Sequence, residues 1–192
     1  MKQLDFMDRF MLHLKNENFI PKNASDLLHQ ARDICSGMDI TIRDARVSSK
    51  YLEFDISVKK EQLDELVRKL KILGDLDHAK HVVEEKKSKE DSIKEGVFYF
   101  NNERFWECHE ILESVWKNCY EGEKDLVQGV ILIAAALVHY QKDENQICIS
   151  ILGRALEKLS NATGNYYNID VDSLRNKITE MKNSGQVTTF VI

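Results

Sequence analysis

The chain has 192 residues, 43% of them hydrophobic and 31% charged, with a formal net charge of −5. That composition excludes wholesale disorder, and the charge excludes a strongly basic nucleic-acid or membrane-surface protein. The length suits one average domain or two small ones.

One proline and eight glycines predict long elements with few breaks, helices above all. Cys35, Cys108, Cys119 and Cys148 show no CxxC spacing, so neither a zinc knuckle nor a thioredoxin motif is present. They fall at apolar positions and read as inert core thiols. The start, MKQLDFMDRF, carries Asp5 and Asp8 where a signal peptide needs an apolar stretch. The longest apolar run, residues 130–138, is nine residues long, against about 20 for a bilayer span. A reducing, cytoplasmic setting without a membrane follows as the expectation. The sequons at Asn23 and Asn161 then carry no glycan.

In chain order, Phe10, Leu12 and Leu14 fall on one face of a first strand. Asn23 or Ser25 can cap a helix that turns Leu27, Leu28, Ala31 and Cys35 inward. Ile40 and Ile42 begin a second strand. Leu52, Phe54, Ile56 and Val58 alternate with Tyr51, Glu53, Asp55 and Ser57, the cleanest strand pattern in the chain. Leu63, Leu66, Val67, Leu70 and Leu73 have helical spacing, with Gly74 as the stop. A last strand spans residues 76–83. The order is βαββαβ, that of the ferredoxin-like fold.

Residues 84–91 contain no apolar side chain and read as a linker or a solvated helix start. Every later segment has helical period, near 91–101, 103–118, 124–141, 143–161 and 170–183, with Asp170 as the cap of the last helix. Short connections predict antiparallel neighbours. The expected class is therefore α+β: a ferredoxin-like domain over 1–84, a linker over 85–91, an all-α antiparallel helical bundle over 92–185 and an apolar tail, QVTTFVI, over 186–192. Docking of that tail on the fold is expected, since its large apolar side chains would otherwise be exposed.

Charge does not single out either half. Residues 1–85 hold 14 Lys plus Arg against 16 Asp plus Glu, and the remainder 13 against 16. The outward side of the 51–58 strand, with Glu53 and Asp55, also lacks the basic and aromatic pattern of an RNA-binding sheet. No nucleic-acid partner is expected.

The segment FYFNNERFWECHEILESVWKN, residues 98–118, carries the chemistry. On a helix, Trp106, His109, Glu113 and Trp116 share one stripe, beside the apolar stripe of Phe105, Cys108, Leu112, Val115 and Cys119. An imidazole and a carboxylate thus lie between two indoles next to the core, a partly buried pair that needs partners. The following helix, DLVQGVILIAAALVHY, is almost wholly apolar apart from Gln128, Gly129 and His139, and belongs at the bundle centre. With the turn centred near Glu121, antiparallel packing sets Gln128 close to the level of Glu113. His139 falls roughly 9 Å along the axis from His109, at 1.5 Å per residue. Gln128 is the expected contact, and Gly129 would let the two helices approach closely.

Phe100-Asn101, Phe105-Trp106-Glu107-Cys108-His109-Glu110, Glu113, Trp116 and Gln128-Gly129 resemble domain-of-unknown-function family 309, a compact all-helical prokaryotic family marked by HxxxExxW, here His109, Glu113 and Trp116. The resemblance continues through the alanine-rich run at Ile133-Ala134-Ala135-Ala136 and through Asn145 to Leu156, and covers roughly residues 95–180. Cys148 and Ile149 stand where the family usually has small residues. The resemblance implies a helical fold and a candidate site; it supplies no activity.

Three readings of the site follow. Trp106, His109, Glu113, Trp116 and Gln128 form a binding site for a small ligand or a protein partner in a regulatory role. His109 and Glu113 ligate a divalent metal in a metal-dependent enzyme, of the hydrolase kind, with Gln128, Glu110 or Glu95 as a third ligand. Or the pair is a hydrogen-bonded network that sets helix register. The segment HEILE lacks the second histidine of a zincin HExxH. His139 reads as a surface or helix-terminus histidine, and His78 and His81 as solvated. A homo-oligomer is compatible with all three readings.

Overall fold

Strict alternation over residues 51–58 builds the strand on which the first half of the chain is organised. The computed structural model describes residues 7–83 and 85–192. Asp5, Glu84 and the other residues of 1–6, at the margins of the expected first domain, lie outside them. The chain divides into two units between Glu85 and Lys86.

The first unit is a four-stranded sheet with two helices. Its elements are β1 (Asp8–Lys15), α1 (Ala24–Ile34), β2 (Ile40–Val47), β3 (Tyr51–Val58), α2 (Leu63–Leu70) and β4 (Leu76–His81). The strand order is β2-β3-β1-β4 with every neighbour antiparallel, the ferredoxin-like arrangement. Leu12 pairs with Phe54 and Leu14 with Leu52. These side chains form one core with Leu27 and Ala31 of α1 and Leu66 and Leu70 of α2.

Two local features escape a simple alternation. A register shift between Ile42 and Asp44 changes the parity of β2, so Ile42, Ala45 and Val47 all reach the same core while Asp44 and Arg46 share the opposite face. Gly74 does not stop α2, which ends four residues earlier. A Cβ at Gly74 would sit 2.6 Å from the Lys15 carbonyl oxygen, so the glycine serves a close approach to the end of β1. The helix-capping expectation also shifts. Asn23 precedes α1 without a side-chain cap, and its Oδ1 accepts from the Ile20 N–H at 2.9 Å instead.

The second face of this sheet carries charges, yet it is not an acidic surface. Arg9 holds Asp55 through two bonds of 2.9 and 2.6 Å, and Arg43 lies 3.5 Å from the same carboxylate. Glu53 accepts from Arg46 and lies 2.9 Å from His13 Nε2. Burial pushes the Glu53 carboxyl up, but Arg46 and His13 outweigh burial and hold it down to about 2. His78 stacks on His13 at 4.2 Å and His81 bonds Asp8 at 3.0 Å, so neither is simply solvated.

The second unit contains α3 (Lys89–Asn101), α4 (Phe105–Trp116), α5 (Glu121–Tyr140), α6 (Asn145–Leu159) and α7 (Val171–Ser184), with a two-residue strand pair before α7. Residues 89–91 form the first turn of α3, capped by Ser88, whose hydroxyl accepts from the Asp91 N–H. The polar stretch is thus partly a solvated helix start. Asp170 caps α7 by accepting from the Ser173 N–H at 2.9 Å. Each helix packs on its neighbour in sequence; connections of three or four residues require this from α3 to α6, whereas the strand pair lies in the longer α6–α7 connection. Central α5 buries Val127, Val130, Ile133, Ala134 and Leu137. Gly129 faces α6 rather than α4: a Cβ there would meet Leu159 Cγ and Cδ2 at 2.6 Å.

The tail docks on this unit. Phe190 meets Phe100 edge-on at 5.3 Å, and Val187, Phe190 and Ile192 pack against the core.

Candidate functional site

Helix α4 buries Phe105, Cys108, Leu112 and Val115, one stripe at helical spacing. The neighbouring stripe of Trp106, His109, Glu113 and Trp116 therefore turns toward solvent. Trp106 and His109 are half-buried, Glu113 is exposed, and Trp116 retains 36% of its surface. The expected partly buried pair is half-buried at His109 and exposed at Glu113.

The imidazole of His109 is bracketed by carboxylates. Its Nε2 lies 3.6 Å from Glu113 Oε1 and its Nδ1 3.3 Å from Glu110 Oε1. Ligand atoms of His109, Glu110 and Glu113 all fall within 4.8 Å of one another. The two ring nitrogens point to different carboxylates, however. One ion takes one nitrogen with one carboxylate as they stand, and the full set needs a side chain to turn.

Lys124 Nζ lies 5.4 Å from the Trp116 ring centroid, which fixes the antiparallel register of α4 and α5 near residue 120. Gln128 is then level with Glu113, but among the described residues no hydrogen bond joins it to Glu113 or His109. His139 binds Glu144 across the α5–α6 turn at 2.5 Å and belongs to that turn. Glu95 accepts from the Tyr99 hydroxyl and from Lys87 at 2.5 Å. These bonds hold it on α3. Glu110 brings a carboxylate within 4.8 Å of the His109 and Glu113 ligand atoms.

Sequence reasoning passed over a buried ion pair on the same helix. Arg104 and Glu107 form a two-bond pair, exposed by only 8% and 3%, and the Arg104 guanidinium lies 4.5 Å over the Tyr99 ring. Burial, then the bond to Glu95, pushes the Tyr99 hydroxyl up. The available signal was the spacing of three between Arg104 and Glu107 at a helix start. The cysteines are all buried; burial raises the thiols of Cys108 and Cys148, the latter to about 12.

A cavity of about 690 Å³ lies elsewhere in this unit, lined by Ser173, Leu174, Lys177, Phe190 and others. None of the five candidate site residues lines it.

A family model described as "Domain of unknown function (DUF309)" matches residues 93–151. That segment includes all five candidate residues and the HxxxExxW motif. A protein of Aquifex aeolicus, described as uncharacterised, is 29% identical over 98 residues, 50% of this chain. The match spans 29% of that relative's length. The C-terminal half thus resembles DUF309, and neither description carries an activity. No helix among the described residues is long and apolar enough to cross a membrane.

Proposed function

We propose that the helical unit is a binding module whose recognition surface is the α4 stripe of Trp106, His109, Glu113 and Trp116, flanked by Gln128. The observation that carries this reading is the exposure of Trp116 at 36% beside an open imidazole–carboxylate pair. A large aromatic ring at the surface is a common anchor for a partner, and half-exposed His and Glu supply oriented polar contacts. An enclosed small-molecule pocket has less support, because the cavity of this unit is lined by other residues. A protein partner is therefore favoured over a small ligand.

Photo-crosslinking in the native host tests this. A benzophenone side chain replaces Lys117, next to Trp116, or Glu157 on α6 as a control. Discrete adducts at position 117 that vanish with His109→Ala or Trp116→Ala support the reading. Trp116 retains only 36% of its surface and His109 is half-buried, so the melting of each variant is measured beside its adducts and only variants that stay folded count. Equal adduct patterns at both positions overturn it.

A second reading is favoured by the grouping of His109, Glu110 and Glu113: a divalent cation held at the surface, with open positions for a substrate oxygen or water in a hydrolytic enzyme. Both tryptophans of the chain lie on α4, so Zn²⁺ or Mn²⁺ titration followed by their fluorescence reads this site. A saturable change lost in Glu113→Gln supports the metal reading, and no change refutes it.

A further inference from the structure

The tail after α7 forms neither helix nor strand, yet its contacts are directional. Asn101 Nδ2 donates to the Ile192 carbonyl oxygen at 3.0 Å, and the Ile192 N–H donates to Asn101 Oδ1 at 2.8 Å. One side-chain amide thereby takes both backbone groups of one residue, as an adjacent strand would. Phe190 meets Phe100 at 5.3 Å, and Phe100 in turn meets Phe105 at 5.1 Å, so the slot has a buried aromatic floor. Thr189 Oγ1 donates to Glu103 Oε1 at 3.3 Å. Val187, Phe190 and Ile192 pack inward, whereas Thr188 and Val191 face solvent. This is an extended segment read on one side.

We propose that Phe100, Asn101 and Glu103 form a binding groove for an extended protein segment with an aromatic residue followed two positions later by an aliphatic one. Residues 189–192 are its exchangeable occupant within the same chain. Two features carry the inference. The bonds from Asn101 go to backbone, so they set direction and register without demanding a particular side chain at that position; the aromatic slot adds the selectivity. The aromatic floor, Phe100 and Phe105, is fully buried, whereas Phe190 and Ile192 of the occupant are only half-buried. The tail also supplies Phe190, Val191 and Ile192 to the wall of the 690 Å³ cavity against α7, so a vacated groove opens onto that space.

A tethered tail acts at an effective concentration in the millimolar range, so a free peptide competes poorly until the tail is weakened. The test uses the full chain and a fluorescein-labelled, C-terminally amidated QVTTFVI peptide, followed by anisotropy. Phe190→Ala protein should bind the peptide at least ~10-fold more tightly than wild type. The double variant Asn101→Ala/Phe190→Ala should not bind, nor should a peptide with alanine in place of phenylalanine. A folded Phe190→Ala protein that ignores the peptide overturns the proposal, as does equal binding by the double variant. Should Phe190→Ala fail to fold, wild type decides. Hydrogen exchange of the tail should accelerate with excess unlabelled peptide while α5 stays protected, and an unchanged tail overturns the proposal.

Discussion

Replacing Gly129 with alanine places a methyl group 2.6 Å from Leu159 Cγ and Cδ2, and Leu159 is fully buried. Overpacking of this kind costs about 1–3 kcal/mol. Alanine is the better helix former and returns about 1 kcal/mol within α5. The net expectation for Gly129→Ala is a loss of between about 0 and 2 kcal/mol, each kcal/mol worth about 4–8 °C in melting temperature for a unit of this size. Leu159→Ala alone should cost about 2–5 kcal/mol through its cavity. Combined, the new methyl partly fills that cavity, so the double variant should cost less than the sum by about 1–2 kcal/mol. Urea unfolding followed by tryptophan fluorescence reports on the right unit, since both tryptophans lie on α4. Strict additivity in the cycle, or a Gly129→Ala protein more stable than wild type, would refute the close α5–α6 contact.

Two further outcomes are expected. Glu53 is held low in the folded state, so its contribution is complete above the ordinary value of 4.5 and is lost as pH falls toward about 2. Urea midpoints of wild type should therefore fall over that interval. Glu53→Gln should be less stable at pH 7 and show a shallower acid decline, and identical slopes would contradict the Arg46–Glu53–His13 arrangement. All four thiols are buried, so Ellman's reagent should find none in the native protein and four in guanidinium. Rapid reaction of any one in the native state would place that cysteine at the surface.

The order βαββαβ and the five helices were legible because each depends on local periodicity, and the resemblance of the C-terminal half was legible from the residues of its motif. Alternation at 51–58 is imposed by one face given to the apolar core and the other to polar and charged side chains, although both faces are buried, and helical spacing at 63–73 by one apolar face. The stripe of Trp106, His109, Glu113 and Trp116 was legible for the same reason, since spacing along one helix needs no partner. How deep the stripe lies was not legible. Whether α5 or solvent covers it depends on how much of α4 the apolar stripe already commits, and that is set by helix packing. The β2 register shift and the Leu159 contact of Gly129 were likewise beyond the sequence, and the burial of the Arg104–Glu107 pair showed only in the fold. Each involves a neighbour or a neutralising partner that only the folded backbone brings near. Composition and periodicity thus determined two differently built halves and one candidate helix face. Tertiary structure decided how far this face is exposed, that Gly129 lies against Leu159, and that the apolar tail packs on Phe100 and Asn101. Contacts between segments distant in the chain carry no periodic signature, because their geometry exists only after the chain has folded.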